Sequence, residues 1–405
     1  MEYTIRESSG LSHRDDIAEL AGRQHLIVDS GAAHHGRELA RRLAERGIVH
    51  RVYPVRGGEG CKTLPELQRL CDEIQLRAQR RDLVVVVGGG AVTDLARCVA
   101  AWLWKGMPLA IVPTTPTAYV DAGIGVKGAV NRDDRKNSIG VYYPPLLVAL
   151  DLGLLRGCPA DVLRAGLMEV MKMALIDGGR FWELYERSSP GLLATGFQGP
   201  DALPVTRAAI TSMLGHLQPN LREHELSRPV DLGHLLVGPL EMRALLPHGL
   251  AVGIDLALML EYAAVLGLLA EDERDRAQDT IRAVGAPLCH ELLTPELVQG
   301  AIEDTRRQRD GVLNLPVPER IGTVRVHPHV DGAAMREAVL RLRVRGLGAS
   351  TVAVDTASAT TARSTVPAGR AGSRPGRSPA QHGRQCQPTR PARPADNEQS
   401  DGPQW

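Results

Sequence analysis

Residues 83–87 (LVVVV) form an unbroken apolar run that enters three glycines, Gly88 to Gly90, and then a helical pattern. A run of this kind has no polar face, so as a strand it must be covered on both sides, the condition met in parallel sheets flanked by helices. The neighbouring segments repeat the arrangement. Residues 25–29, 49–54 and 109–112 read as further strands, and residues 36–47, 64–80 and about 93–104 as the helices between them. Strands alternating with helices of this length predict an α/β fold with a parallel sheet. From Ala160 the apolar spacing changes to 3.6, through residues 160–186, 202–217, 240–268, 272–284 and 294–306, which predicts an all-α second half. The last stretch is Ala, Thr, Ser, Pro, Gly, Gln and Arg with almost no large apolar side chain, and it is expected to be disordered. The expected division is an α/β domain over 1–155, a helical domain over 156–350 and a low-complexity tail over 351–405.

A net charge of +1 gives no basic footprint for nucleic acid. The longest apolar helix candidate, 256–270, is interrupted by Glu261 and is too short for a bilayer. The start, MEYTIRESSG, has neither the basic nor the apolar region of a signal peptide. Six scattered cysteines without a CxxC pair read as reduced thiols. The expectation is therefore a cytoplasmic protein with no nucleic-acid or membrane partner. Only five of the 48 cationic side chains are lysine: Lys62, Lys105, Lys127, Lys136 and Lys172. Where arginine is the default cation, a retained lysine marks a position whose small ammonium head arginine does not replace.

Three motifs carry chemistry. In the first, residues 84–94 (VVVVGGGAVTD), a strand enters glycines and then a helix, so backbone N–H groups can approach a pyrophosphate and the helix dipole favours the anion. Taken alone, the same three glycines also suit a tight turn, and Asp94 a capping carboxylate. The second, residues 113–137 (PTTPTAYVDAGIGVKGAVNRDDRKN), reads either as a solvated loop or as a partly buried one whose Asp121, Lys127, Lys136 and Asn137 meet a charged ligand. The third is a set of metal-ligand types. Glu169 and Lys172 are at i and i+3 on one helix face, and His234 and His248 lie 14 residues apart across a helix-like run. One carboxylate and two imidazoles leave coordination positions open, as a catalytic site requires. Spacing alone supports that metal set only weakly.

The ordered series GGGxxxD, PTT, DxxxGxK, RKN, GLxExxK, GH and HG, running from about His25 to Gly322, resembles the dehydroquinate synthase superfamily of sugar phosphate cyclases. Within it the chain looks most like the 2-epi-5-epi-valiolone synthases, on the segments LQPNLREHEL (217–226), DAGIGVK and RDGVLNLPVPERIG, and on Asp231 in VDLGH, where dehydroquinate synthases carry Asn.

The resemblance implies an NAD-binding α/β domain followed by an all-α metal-binding domain, with the active site between them. It implies NAD contacts from Asp29, Glu59, Lys62, Gly89, Gly90, Asp94, Thr114, Thr115, Lys136 and Asn137. A divalent metal, Zn or Co, would be held by Glu169, His234 and His248. Asp121, Lys127, Asn131, Lys172, Arg228 and Asp231 match catalytic and substrate-pocket positions. The substrate implied is sedoheptulose 7-phosphate, and the assembly a homodimer.

The alternatives are another cyclase of the superfamily, a metal-dependent polyol dehydrogenase of the same fold, and a non-catalytic homologue. The chain departs from the family pattern at Leu250 (usually Glu), Leu235 (Thr), Pro116 (Leu), Gly238 (His in dehydroquinate synthases) and Gln308 (His in the valiolone branch). These positions are expected near metal and substrate.

Overall fold

The computed structural model describes residues 4–8, 17, 20, 22–132, 135–309 and 311–347, all within one compact unit. The tail expectation for 351–405 and Asp310 of the RDGVLNL motif lie outside the described residues. The first half is a six-stranded sheet with every neighbouring pair parallel, in the order β1 (Thr4–Ser8), β8 (Leu147–Asp151), β5 (Leu109–Pro113), β4 (Leu83–Gly88), β2 (Gln24–Asp29), β3 (His50–Val55). The crossovers include α1 (Ala33–Glu45), α2 (Leu64–Gln75) and α3 (Gly90–Trp102).

Strands β4, β5 and β8 are buried along their whole length, as a run without a polar face requires. Their side chains alternate between two cores. Leu83, Val85 and Val87 pack with Leu39 and Leu43 of α1. Val84 and Val86 join a larger core that continues into the helical half.

Between β5 and β8 the chain forms a π-helical turn, Ala118–Ala122, and an antiparallel hairpin, β6 (Lys127–Arg132) with β7 (Arg135–Tyr142). The buried Arg97 of α3 shapes this segment by donating to the carbonyls of Ala122, Gly123, Gly125 and Lys127. The described part of the motif is thus folded and tied to α3.

The second half contains α4 (Ala160–Asp177), α5 (Gly179–Thr195), α6 (Ala202–Leu217), α7 (Val237–Ala244), α8 (His248–Val265), α9 (Glu271–Ala283), α10 (Pro295–Gln308) and α11 (Gly332–Leu347). The single helical run expected over 160–186 is broken at Gly178. That residue has φ +63°, and a Cβ there would lie 2.4 Å from Gly322 Cα, so the chain turns where the two backbones meet. The run over 240–268 is broken by Leu245 at φ +54° and by Pro247. One antiparallel hairpin, β9 (Leu315–Arg320) with β10 (Thr323–His327), sits among the helices. Helix α8 is apolar and long enough by composition to cross a membrane, but 83% of it is buried in this core.

Candidate active site

A cavity of about 1370 Å³ opens at the carboxyl ends of β2, β4 and β5. The connection order reverses between β2 and β4, and open parallel sheets place their ligands at such a point. Asp29 ends β2, Gly88 ends β4, and Thr114 and Thr115 follow β5; Asp29, Gly89, Gly90, Thr114 and Thr115 all line the cavity. Asp29 accepts from Gly31 N at 2.9 Å and lies 3.5 Å from Gly89 N. Gly89 is the N-cap of α3 and no side chain caps that helix, which leaves its first-turn donors for an anion. A Cβ on Gly88 would stand 2.9 Å from Asp29 Cβ, so the strand end and the aspartate approach closely only because this residue is glycine.

Beside this turn a polar cluster surrounds Lys62, which is only 2% exposed. Its ammonium lies 2.7 Å from Asp94 Oδ2 and 3.5 Å from Glu59 Oε1, and it donates to Asn137 Oδ1. Burial opposes the charge on Lys62, but Asp94 and Glu59 outweigh it and raise the pKa. Lys136 pairs with Glu241 and lies 3.9 Å from Glu59. Asn131 departs from expectation, because it does not line the cavity. Its amide donates to Glu59 Oε1 at 2.9 Å and its carbonyl oxygen accepts from Asn137 N at 2.8 Å, so it orders the residues that do.

Glu169, His234 and His248 come together with ligand atoms all within 4.8 Å of one another. Glu169 is on α4, His248 begins α8, and the two helices touch backbone to backbone. A Cβ on Gly249 would lie 1.9 Å from Ala165 O, and one on Gly253 2.8 Å from Met168 Sδ. His234 is on the loop before α7, where Asp255 of α8 accepts from Leu236 N at 2.9 Å; burial raises that carboxyl to about 7.

The set fits a divalent cation. The buried Glu169 carboxylate is held by ion-pair contacts, Oε2 2.7 Å from Lys172 Nζ and Oε1 3.1 Å from His248 Nε2, and neither oxygen has a well-aligned hydrogen bond among the described residues, which leaves lone pairs for a cation. Burial favours a neutral Glu169, but Lys172 and both histidines outweigh it and hold the carboxyl well below its usual range. Burial and the Lys172 charge push His234 down to about 3. Burial also opposes the charge on His248, but Glu169 and Glu241 raise it to about 9, so a metal there displaces a proton.

The N-terminal family model of 3-dehydroquinate synthase matches residues 52–165, and the C-terminal model matches residues 166–307. A 2-epi-5-epi-valiolone synthase of Actinoplanes sp. is 38% identical over 329 residues, 78% of this chain and 83% of the relative. The chain belongs to the 3-dehydroquinate synthase family. A second 2-epi-5-epi-valiolone synthase, from Streptomyces albus, is 38% identical over 75% of this chain and 76% of its own. Among solved structures, the 2-epi-5-epi-valiolone synthase ValA of Streptomyces hygroscopicus subsp. jinggangensis 5008, with NAD+ and Zn2+ bound, superposes with a TM-score of 0.82. It is 34% identical, over 85% of this chain and 98% of its own.

The rest of the cavity of this 3-dehydroquinate synthase family member is lined by Asp121, Lys127, Lys172, Arg228 and Asp231, together with acids that motif reading passed over. Glu223 lies 2.7 Å from Lys127 Nζ and pairs with Arg228. Asp231 is 3.4 Å from Arg228 and 2.8 Å from Arg309. Burial opposes its charge, yet those two guanidinium groups lower its pKa. Burial raises the Asp121 carboxyl, against the Lys172 ammonium. Burial likewise opposes the Lys172 charge, and Glu169 and Asp121 outweigh it.

Arg309 was within reach of sequence reading, because it opens the RDGVLNL segment beside Gln308. Glu241 stands seven residues before His248 with no motif of its own. The five departures from the family pattern were expected near metal and substrate, but none of them lines the cavity. Leu250 is buried in α8, Gln308 is exposed, and Pro116 packs where a Cβ on Gly166 would come within 2.2 Å of it. Adjacency in sequence to a ligand does not carry a side chain into the site.

Proposed function

We propose that this enzyme is a sugar phosphate cyclase that converts sedoheptulose 7-phosphate to 2-epi-5-epi-valiolone. The observation that carries this reading is one cavity joining an uncapped helix start for a dinucleotide to the Glu169, His234 and His248 set, with four lysines between and beside them. The two synthases at 38% identity and the match to ValA support it. The reaction removes phosphate and closes a carbocycle without net redox change. Bound NAD would supply a transient hydride acceptor and donor, and the metal would polarise substrate oxygens.

We assign dinucleotide binding to Asp29, Glu59, Lys62, Gly89, Gly90, Asp94, Thr114, Thr115, Lys136 and Asn137, and metal binding to Glu169, His234 and His248. Lys127 and Arg228 present cations for the phosphate ester. Asp231, fixed between Arg228 and Arg309, is placed to accept from sugar hydroxyls. The buried Lys172 and the half-buried Asp121 both line the cavity beside the metal ligands and act on each other through their charges, which suits them to passing a proton to or from a substrate hydroxyl. In this reading residues 1–155 bind NAD and add Asp121 and Lys127 to the substrate pocket, while 156–350 hold the metal and the rest of that pocket. The five described cysteines are all free, which supports a cytoplasmic setting. We further place the enzyme, as a homodimer, in secondary-metabolite biosynthesis.

The test is incubation of purified protein with NAD, Zn2+ or Co2+ and a panel of sugar phosphates. Phosphate release from sedoheptulose 7-phosphate without NADH accumulation is the expected result. Release from no substrate overturns every cyclase reading, and net NADH points to a polyol dehydrogenase. Glu169→Ala and His248→Ala should each abolish metal binding and turnover while circular dichroism stays unchanged.

A further inference from the structure

Glu241 has no part in the assignments above, yet it touches two of them. It lies on α7, 8% exposed, with Oε1 3.2 Å from Nδ1 of His248 and Oε2 paired to Nζ of Lys136 on β7. One buried carboxylate thus joins a metal ligand at the start of α8 to a cofactor-side lysine in the sheet half of the molecule.

As a ligand, His248 must be neutral, with one N–H and one lone pair. A carboxylate at Nδ1 accepts the N–H there and leaves the lone pair on Nε2, the nitrogen that stands 3.1 Å from Glu169. His234 is oriented in the same sense by Leu232 O, 3.1 Å from its Nδ1. The two imidazoles therefore differ. One is set by a neutral carbonyl, the other by a charge that a lysine shares.

We propose that Glu241 is the positioning residue for His248 and the link through which the NAD and metal sites strengthen one another. The inference rests on the cofactor assignments made above. When an anionic cofactor draws the Lys136 ammonium, Glu241 keeps a stronger hold on the His248 N–H, which makes Nε2 the better donor to a metal. A metal on Nε2 makes the N–H more acidic, draws Glu241 toward His248 and frees Lys136 for the cofactor. Linkage requires the two effects to be equal.

The experiment is titration of metal-free full-length protein with Co2+, followed by visible absorption, with and without NAD. In the wild-type protein NAD should tighten Co2+ binding by at least about fivefold, the lower end of usual coupling between sites. Glu241→Ala should weaken Co2+ binding by roughly 10 to 100-fold, as loss of an outer-shell partner does, and should alter the cobalt spectrum. Glu241→Gln keeps an acceptor for His248 but has no charge for Lys136, so it should recover most of the Co2+ affinity and lose the NAD effect.

Wild-type Co2+ affinity in Glu241→Ala, or an undiminished NAD effect in Glu241→Gln, overturns the proposal and leaves the cofactor assignments standing. If the alanine variant fails to fold, the glutamine variant decides alone. Wild-type protein that binds neither Co2+ nor NAD overturns both.

Discussion

Glu223 stands between Lys127 and Arg228 at the end of the cavity assigned to the phosphate ester, and Tyr142 donates to it at 3.3 Å. Its backbone is left-handed, φ +54°, a conformation that costs a non-glycine residue of order 1 kcal/mol and that recurs at functional sites. A substrate phosphate must compete with this carboxylate for the same two cations. Glu223→Gln should therefore tighten binding of a phosphate ester by roughly fivefold, about 1 kcal/mol, the upper range for a partly exposed ion pair. Isothermal titration with sedoheptulose 7-phosphate checks this, and unchanged or weaker binding would show that the carboxylate does not compete. The lysine count anticipated this region without resolving it. Lys62, Lys127, Lys136 and Lys172 line the cavity and Lys105 does not, so composition pointed to the right cations. It was silent on Glu223, Glu241 and Arg309. A count of residue types carries no information about which charge an acid or arginine will meet across the fold.

Helices α4 and α8 hold two of the metal ligands, Glu169 and His248, at a separation that glycine permits. With the Gly249 Cβ position only 1.9 Å from Ala165 O, even one methyl must push the backbones apart. Gly249→Ala should lower stability by about 1 to 3 kcal/mol, the usual cost of overpacking, and should weaken Co2+ binding because His248 is the preceding residue. Urea unfolding and cobalt titration test the two effects separately; normal values for both would mean that the helices tolerate a wider spacing. The HG dipeptide was visible in the sequence, but its reason was not, since close approach is a property of two segments. The same limit explains the hairpins. In β9 the prolines at 316 and 318 read against a strand. In β8 a four-residue apolar run before Asp151 carries no period of its own, whereas in β4 the following glycines marked the end of the strand.

The metal ligands come from three places, helix α4, the loop before α7 and the start of α8, so a cation bound by all three ties together parts of the core that are far apart in sequence. The unfolded chain has no such site. Metal should stabilise the native state by about 2.7 kcal/mol at a concentration 100 times its dissociation constant, and the thermal midpoint should rise by several degrees as Zn2+ is added back to chelator-treated protein. Glu169→Ala should remove that concentration dependence, because the remaining imidazoles lack the buried carboxylate that offsets the charge of the cation. Asp255 offers a control. It holds the His234 loop through Leu236 N without reaching the ligand set, so Asp255→Asn should change the midpoint of the metal-free protein while preserving the rise with Zn2+. Differential scanning calorimetry across a zinc series distinguishes the two variants, and a midpoint that climbs with zinc in Glu169→Ala would place the stabilising cation elsewhere.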